Sequence, residues 1–308
     1  MELEQTIKPV MLIALGIISL AYIFRWLQNV RNDRKAEPSS PESGLPSLGQ
    51  GVLGFVTNFF DTLGIGSFAT TTAVFKLLRM VRDEYIPGTL IAGLTLPSLA
   101  QAFIFITVVK VDLVLLVLMT AAMMLGGWLG AGVVARLSRR AIQVGMGSAL
   151  LLAAASMLMS QFGLFPAGGT ATGLPFARMC IAVVVYFLLG GLITLGIGHY
   201  APSLVLFSLL GMDPHAAFPI MAGAAAFTGL TAGIRVLDLR RYDLRAALGL
   251  TLGGIPGVLL AAFAVKSLPL DVLRWLVVVV IVYTAAMMLR AAYDERRTFT
   301  TPVEQAKF

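Results

Sequence analysis

Two copies of one pentapeptide hold the residues best placed to do chemistry. They are Thr62-Leu63-Gly64-Ile65-Gly66 and Thr194-Leu195-Gly196-Ile197-Gly198, each inside an apolar run. Two glycines at this spacing weaken a helix and permit a turn. A helix restarted after such a turn offers N–H groups that have no intrahelical partner, at the positive end of its dipole. Two such starts facing each other form an anion site without formal charge. The residues that follow add side-chain donors: Ser67, Thr70, Thr71 and Thr72 at the first turn, His199, Tyr200 and Ser203 at the second. The expected substrate-binding set is Gly64, Gly66, Ser67, Thr70, Thr71, Gly196, Gly198, His199, Tyr200 and Ser203, with Gln101 from a neighbouring run.

Most of these residues also have a purely structural reading. Ser67 is a good N-cap. Thr70 to Thr72 span almost a full turn, so all three cannot face one ligand, and at least one is expected to bond its own backbone. His199 is either a hydrogen-bonded core histidine or, as an ionisable group at membrane depth, functional. Protonated it attracts an anion; neutral it donates one hydrogen bond. Asp61, before the first turn, reads equally as a proton carrier or as a carboxylate bonded to neighbouring Thr or backbone groups, with Asn58 in the same network. Ser98, Thr228 and Thr231 lie on the flanking runs, where hydroxyl residues are ordinary packing devices. Arg235, Arg240 and Arg241 read as topology determinants, and Met123, Met124, Met287 and Met288 as lipid- or core-facing filler.

The elements that position these residues lie in a bilayer. The chain is 58% hydrophobic and 13% charged, with mean hydropathy +0.87. A soluble domain carries roughly 25% charged residues. The net charge of +7 sits in short loops between apolar runs, where it sets topology rather than binding nucleic acid. Cys180 is the single cysteine, and His199 and His215 are the only histidines. That excludes an intramolecular disulfide and Cys/His metal spacing; no cofactor is expected. The first apolar run, 10–27, lacks a basic leader and a small-residue cleavage site. Arg25, Arg31, Arg34 and Lys35 follow it, which suits a retained helix with its N-terminus outside.

Eight further apolar runs follow: 51–78, 88–109, 113–137, 141–162, 176–210, 216–237, 246–265 and 272–289. Those carrying the pentapeptides are the longest. As single helices they would reach about 42 and 52 Å, too long for a core of ~30 Å. If both dip in and return, five basic clusters, at Arg31, Arg79, Arg136, Arg240 and Arg290, face the cytoplasm. The charge-poor loops near 110, 163–175, 211–215 and 266 then face outward. The halves match at an offset near 131: Phe75-Lys76-Leu77-Leu78 with Phe207-Ser208-Leu209-Leu210, Ala92-Gly93 with Ala222-Gly223, and Asp112-Leu113 with Asp243-Leu244. One hairpin plus three crossings per half turns the second copy upside down.

The expected fold is therefore an all-α polytopic membrane protein, an inverted repeat of a re-entrant helical hairpin plus three transmembrane helices. It divides into an N-terminal transmembrane helix (1–27), a cytoplasmic linker (28–48), a first repeat (49–162), a second inverted repeat (176–290) and a cytoplasmic tail (291–308). The expected location is the inner or plasma membrane. The first helix, outside the repeat, is free to serve as a homodimer contact or a regulatory addition.

These residues resemble the TauE/SafE family, the sulfite exporter-like permeases, also grouped with the toluene-sulfonate uptake permeases. The marks are the duplicated GIGSF and GIGHY elements, the turn Gly211-Met212-Asp213-Pro214-His215-Ala216-Ala217, and the stretch DLRRYDLRAALGLTLGGIPG from Asp238 to Gly257. The resemblance runs from Gly51 to Leu289. It implies transport of sulfite, sulfonates or related small anions. The family carries three glycines at each hairpin tip; here Ser67-Phe68 and His199-Tyr200 follow the glycine pairs, at positions where substrate is expected.

The leading expectation is a secondary transporter of a small anion working by alternating access, with Asp61 as candidate proton-coupling residue. An anion channel, or a cation or metal carrier using Asp61 and His199, is the second class; the basic bias argues against a cation. An intramembrane serine hydrolase using Ser67 and His199 is the third. Inverted duplication places that pair by symmetry alone, and no oxyanion device is evident, so no catalytic residue is assigned.

Overall fold

The computed structural model describes residues 2–36, 45–63, 66–134, 136–164, 169–196 and 198–264, and eight positions between 278 and 293. Ten helices run through them: α1 Glu2–Ala36, α2 Leu48–Thr62, α3 Ser67–Leu77, α4 Ile86–Val108, α5 Leu113–Val134, α6 Arg139–Gln161, α7 Phe176–Ile193, α8 Tyr200–Leu209, α9 Pro214–Leu239 and α10 Leu244–Ala264. No strand forms among the described residues; Ala171 and Met212 make an isolated bridge. Six helices are long and apolar enough to cross a membrane by length and composition: α1, α4, α5, α7, α9 and α10. The protein is thus a multi-pass α-helical membrane protein.

Both long apolar runs break at their pentapeptides, α2 from α3 and α7 from α8. Gly66 and Gly196 sit at φ +88° and +83°, a region that costs a Cβ-bearing residue about 1–2 kcal/mol. Three expectations differ in detail. α1 continues to Ala36, into the stretch read as linker. α7 alone has the 18 residues of a crossing. α6, Arg139–Gln161, starts two residues before the apolar run 141–162 and ends one residue before it does. Run 272–289 falls largely outside the described residues.

Glycines make the closest seams, as expected where lipid gives helices no hydrophobic drive to associate. α10 packs along α2: a Cβ added at Gly253 would lie 1.8 Å from Gly51 O, and one at Gly257 would lie 2.4 Å from Phe55 O. α5 packs along α7 the same way, with an added Cβ at Gly126 1.9 Å from Phe187 O. Phe55 and Gly257 occupy the places in their halves that Phe187 and Gly126 occupy in theirs. Each seam thus joins an earlier helix to a later one, α2 to α10 and α5 to α7. α4 and α9 cross between the seams. Pro97 in α4 removes one helical N–H, and the freed Gly93 carbonyl accepts from Thr251 Oγ1 of α10 at 2.8 Å. α1 lies outside, tied by Tyr22 OH donating to Ala92 O.

The loops sort into two ends. At one, Arg25 bonds Asp238, Asn29 donates to Leu237 O, and Asp243 N donates to Thr89 Oγ1. Lys76 there pairs with Asp83 at 2.6 Å, and Gln143 donates to the same carboxylate at 2.7 Å. At the other, Lys8 donates to Thr107 O, Asp112 N to Thr172 O, and Asp213 N to Ala171 O. Among the described residues, the first end carries the basic residues Arg25, Lys76 and Arg82, the second the charge-poor loops near 110 and 211.

Candidate functional site

The site is built where the two broken elements restart. α3 begins at Ser67 after Gly66, which as N-cap provides no side chain to cap it. Ser67 is therefore not the cap, although its type suits that role. Asp61, six residues earlier, caps in its place: Oδ1 accepts the Ser67 N–H at 2.5 Å. Oδ2 accepts from Gln101 Nε2 at 2.7 Å. The helix start proposed from sequence as an anion site is thus already occupied by a carboxyl group of the protein's own. Asp61 is 4% exposed. Burying a carboxylate costs several kcal/mol and two charge-assisted bonds return about 3–6, so losing either donor leaves the charge under-compensated.

Gln101, on α4, joins the second element to the first. Its Oε1 accepts from Tyr200 OH at 2.6 Å, and its Nε2 also reaches Thr62 Oγ1 at 3.1 Å. The chain Ser67 N–H, Asp61, Gln101, Tyr200 therefore runs from the start of α3 to the start of α8. The starts also touch directly: a Cβ added at Gly198 would lie 3.5 Å from Phe68 Cβ. The His199 ring meets the Tyr200 ring edge-on at 4.9 Å, and its Nε2 lies 3.1 Å from Met221 O. The carbonyl only accepts, so Nε2 carries hydrogen and Nδ1 of a neutral ring is a bare acceptor.

Several buried groups lack hydrogen-bond partners: Thr71 Oγ1, Thr72 Oγ1, His199 Nδ1, Ser203 Oγ, Tyr186 OH and Thr228 Oγ1. Such groups are rare in folded proteins and call for an explanation. Thr71 lies one turn after Ser67 and Ser203 three residues after Tyr200, so each helix start has a hydroxyl on its own face, Thr71 without a partner and Ser203 facing the Tyr186 hydroxyl. A cavity of about 20 Å³, room for roughly one water, is lined by Phe68, Thr95, Ser98, Ile193 and Thr228 among others. A second of the same size, with Glu84, Thr194 and Arg241 in its wall, shares Ile91 with it.

Other expected members divide. Gly64 lies outside the described residues. Gly66 faces open space, and Gly196 is packed against Met146 and Leu90. Thr70 spends its hydroxyl on Gly66 O and Ser67 O, as the spacing of the threonine run demands of one member. Asn58 makes no direct bond to Asp61: its side-chain amide donates to Gly54 O, and its backbone carbonyl accepts from Thr62 Oγ1, which Gln101 Nε2 links to Asp61. Thr231 bonds its own helix. Arg235 donates to Trp128 O and stacks over that indole. Among the described residues no hydrogen bond joins Ser67 to His199, and no group of three or more His, Cys, Asp or Glu forms a metal site. Sequence reasoning missed Tyr186, whose hydroxyl faces Ser203; a phenol inside an apolar run was the available signal. It also missed the Lys76, Asp83 and Gln143 cluster, because Gln143 lies 60 residues from Asp83 in the chain.

Broken helices whose starts meet inside a multi-pass bundle define a membrane transport protein. The family described as sulfite exporter TauE/SafE matches the chain over residues 2–157 and 179–307, and the chain belongs to it. The match extends beyond the 51–289 of the resemblance into the first helix and the tail. No curated protein and no solved structure matches.

Proposed function

We propose that the chain is a secondary transporter of a small sulfur-containing anion, held by alternating access where α3 and α8 begin. The observation that carries this reading is the bridge by Gln101 from Asp61 to Tyr200, with the hydroxyls of Thr71 and Ser203 beside it. Water-sized cavities agree with a closed state that must open to admit an anion.

The two broken elements are read as re-entrant hairpins entering from opposite faces. Arg178, early in α7, donates to Leu210 O just past α8. A Cβ added at Gly49, early in α2, would lie 3.9 Å from Met80 just past α3. Each element thus ends beside its own beginning, at opposite ends of the molecule. The inverted repeat is supported by the exchanged seams and by paired details. Asp112 and Asp243 each accept a backbone N–H three residues on. Met80 N and Met212 N each close a helix onto Phe75 O and Phe207 O. In this reading the basic end is cytoplasmic.

The test is a thermal-shift screen of small anions on purified protein, since a ligand of the native state raises its apparent stability. Sulfite or a sulfonate is expected to stabilise the protein, and His199→Ala and Ser67→Ala to weaken that effect while leaving the fold. If no anion shifts the wild type, the reading is wrong.

A further inference from the structure

We infer that Gln101 is a two-position relay: ionised Asp61 makes its amide hold the Tyr200 hydroxyl, and protonated Asp61 flips the amide and frees that hydroxyl for the transported anion. The inference rests on the reading above that the starts of α3 and α8 hold the anion. A glutamine amide has two N–H donors and one accepting oxygen. Here both donors are spent, on Asp61 Oδ2 and Thr62 Oγ1, and the oxygen accepts from Tyr200. An ionised carboxylate only accepts, so the nitrogen must face it.

A proton from water bound at Oδ2 turns that oxygen into a donor, and two donors then face each other across 2.7 Å. Half a turn of the amide removes the conflict. Oε1 then accepts from Asp61 and Nε2 points to the Tyr200 oxygen, which must now accept. Thr62 follows by turning its proton from Asn58 O to Oε1. The Tyr200 O–H points away from Gln101. Ser67 N–H loses a charged acceptor at the same moment. The Tyr200 hydroxyl is thus released while the Ser67 N–H keeps only a neutral acceptor, on the faces that carry Ser203 and Thr71. No covalent bond changes except at Asp61, which gains one proton per anion bound and returns it on release.

Among the described residues, few groups face Asp61. α3 presents Ser67 and α4 presents Gln101. α8 presents Tyr200, with Tyr186 of α7 and His199 behind it. α10 faces α2 with Gly249, Gly253 and Gly257. Gln101 is on this account a positioning residue, because every polar atom of its side chain is engaged by protein.

The test measures methanesulfonate binding and uptake in proteoliposomes at acid and neutral pH, since a sulfonate keeps one charge throughout. Wild type is expected to bind about tenfold more tightly at acid pH, matching one charge-assisted hydrogen bond. Asp61→Asn is expected to bind at neutral pH as wild type does in acid. Tyr200→Phe is expected to lose about tenfold in acid and little at neutral pH. Gln101→Met, similar in volume but without an amide, is expected to bind with a flat pH profile. A wild-type profile in folded Gln101→Met overturns the relay and leaves the transporter reading standing, as does methanesulfonate binding without pH dependence in wild type. If Gln101→Met does not elute as folded protein, a retained profile in Asp61→Asn overturns the relay instead. No binding of methanesulfonate or sulfite by wild type at any pH overturns both.

Discussion

At the scale of single residues, the fate of the first N–H of α3 decides how the site works. A free helix start would hold an anion continuously; one closed by Asp61 must be opened first. Asp61→Asn is therefore expected to keep transport and lose its pH dependence, measured as flux against external pH. An unchanged profile would remove Asp61 from coupling. Both roles weighed for Asp61 in the sequence rest on one geometry, since the bonds that stabilise the carboxylate are those a proton would rearrange. The glycine turns, the hydroxyl run and Asp61 were legible from residue type and spacing. The cap was not, because it spans six residues through a turn. Neither was the Tyr200–Gln101 contact, because 99 residues separate the pair and only the tertiary fold brings them together.

At the scale of elements, the glycine seams and one buried ion pair hold the broken helices in place. Gly253→Ala puts a methyl group against Gly51 O and is expected to lower the thermal midpoint by about 5 °C. Gly126→Ala should do the same in the other seam. Gly16→Ala, with nothing within 4 Å, should be silent in the same melting experiment. Lys76 and Asp83 are mostly buried. Removing one partner leaves an uncompensated charge, so Asp83→Ala is expected to cost about 3–5 kcal/mol. Lys76→Met in the Asp83→Ala background should restore most of it. Full stability of Asp83→Ala alone would mean that the pair does not anchor α3. Helix identity in these elements was legible from apolar run length. Helix ends were less so: the polar side chains after Leu27 do not stop α1, because no proline or glycine interrupts it before Ala36.

At the scale of the molecule, charge and contact agree. The loops sorted by basic residues also sort by which ones touch. In a Cys180→Ser background, cysteines at Gln28 and Arg82 are expected to label from the same face, and cysteines at Lys110 and Leu164 from the other. Gln28 and Arg82 on different faces would refute the hairpin reading of the first broken element. Charge patterning made this organisation legible because loop residues remain at the membrane surfaces whatever the helices do between them. The partner of each seam was hidden, since glycine spacing marks a close approach without saying which helix comes close. That exchange of partners has a consequence for biogenesis. α2 leaves the ribosome long before α10, and until α10 arrives its glycine-facing groove has only lipid to fill it. Neither half is then a self-sufficient folding unit. Cut within 163–175 and produced singly, the fragments should fall to quality-control proteases; produced together, they should rescue one another.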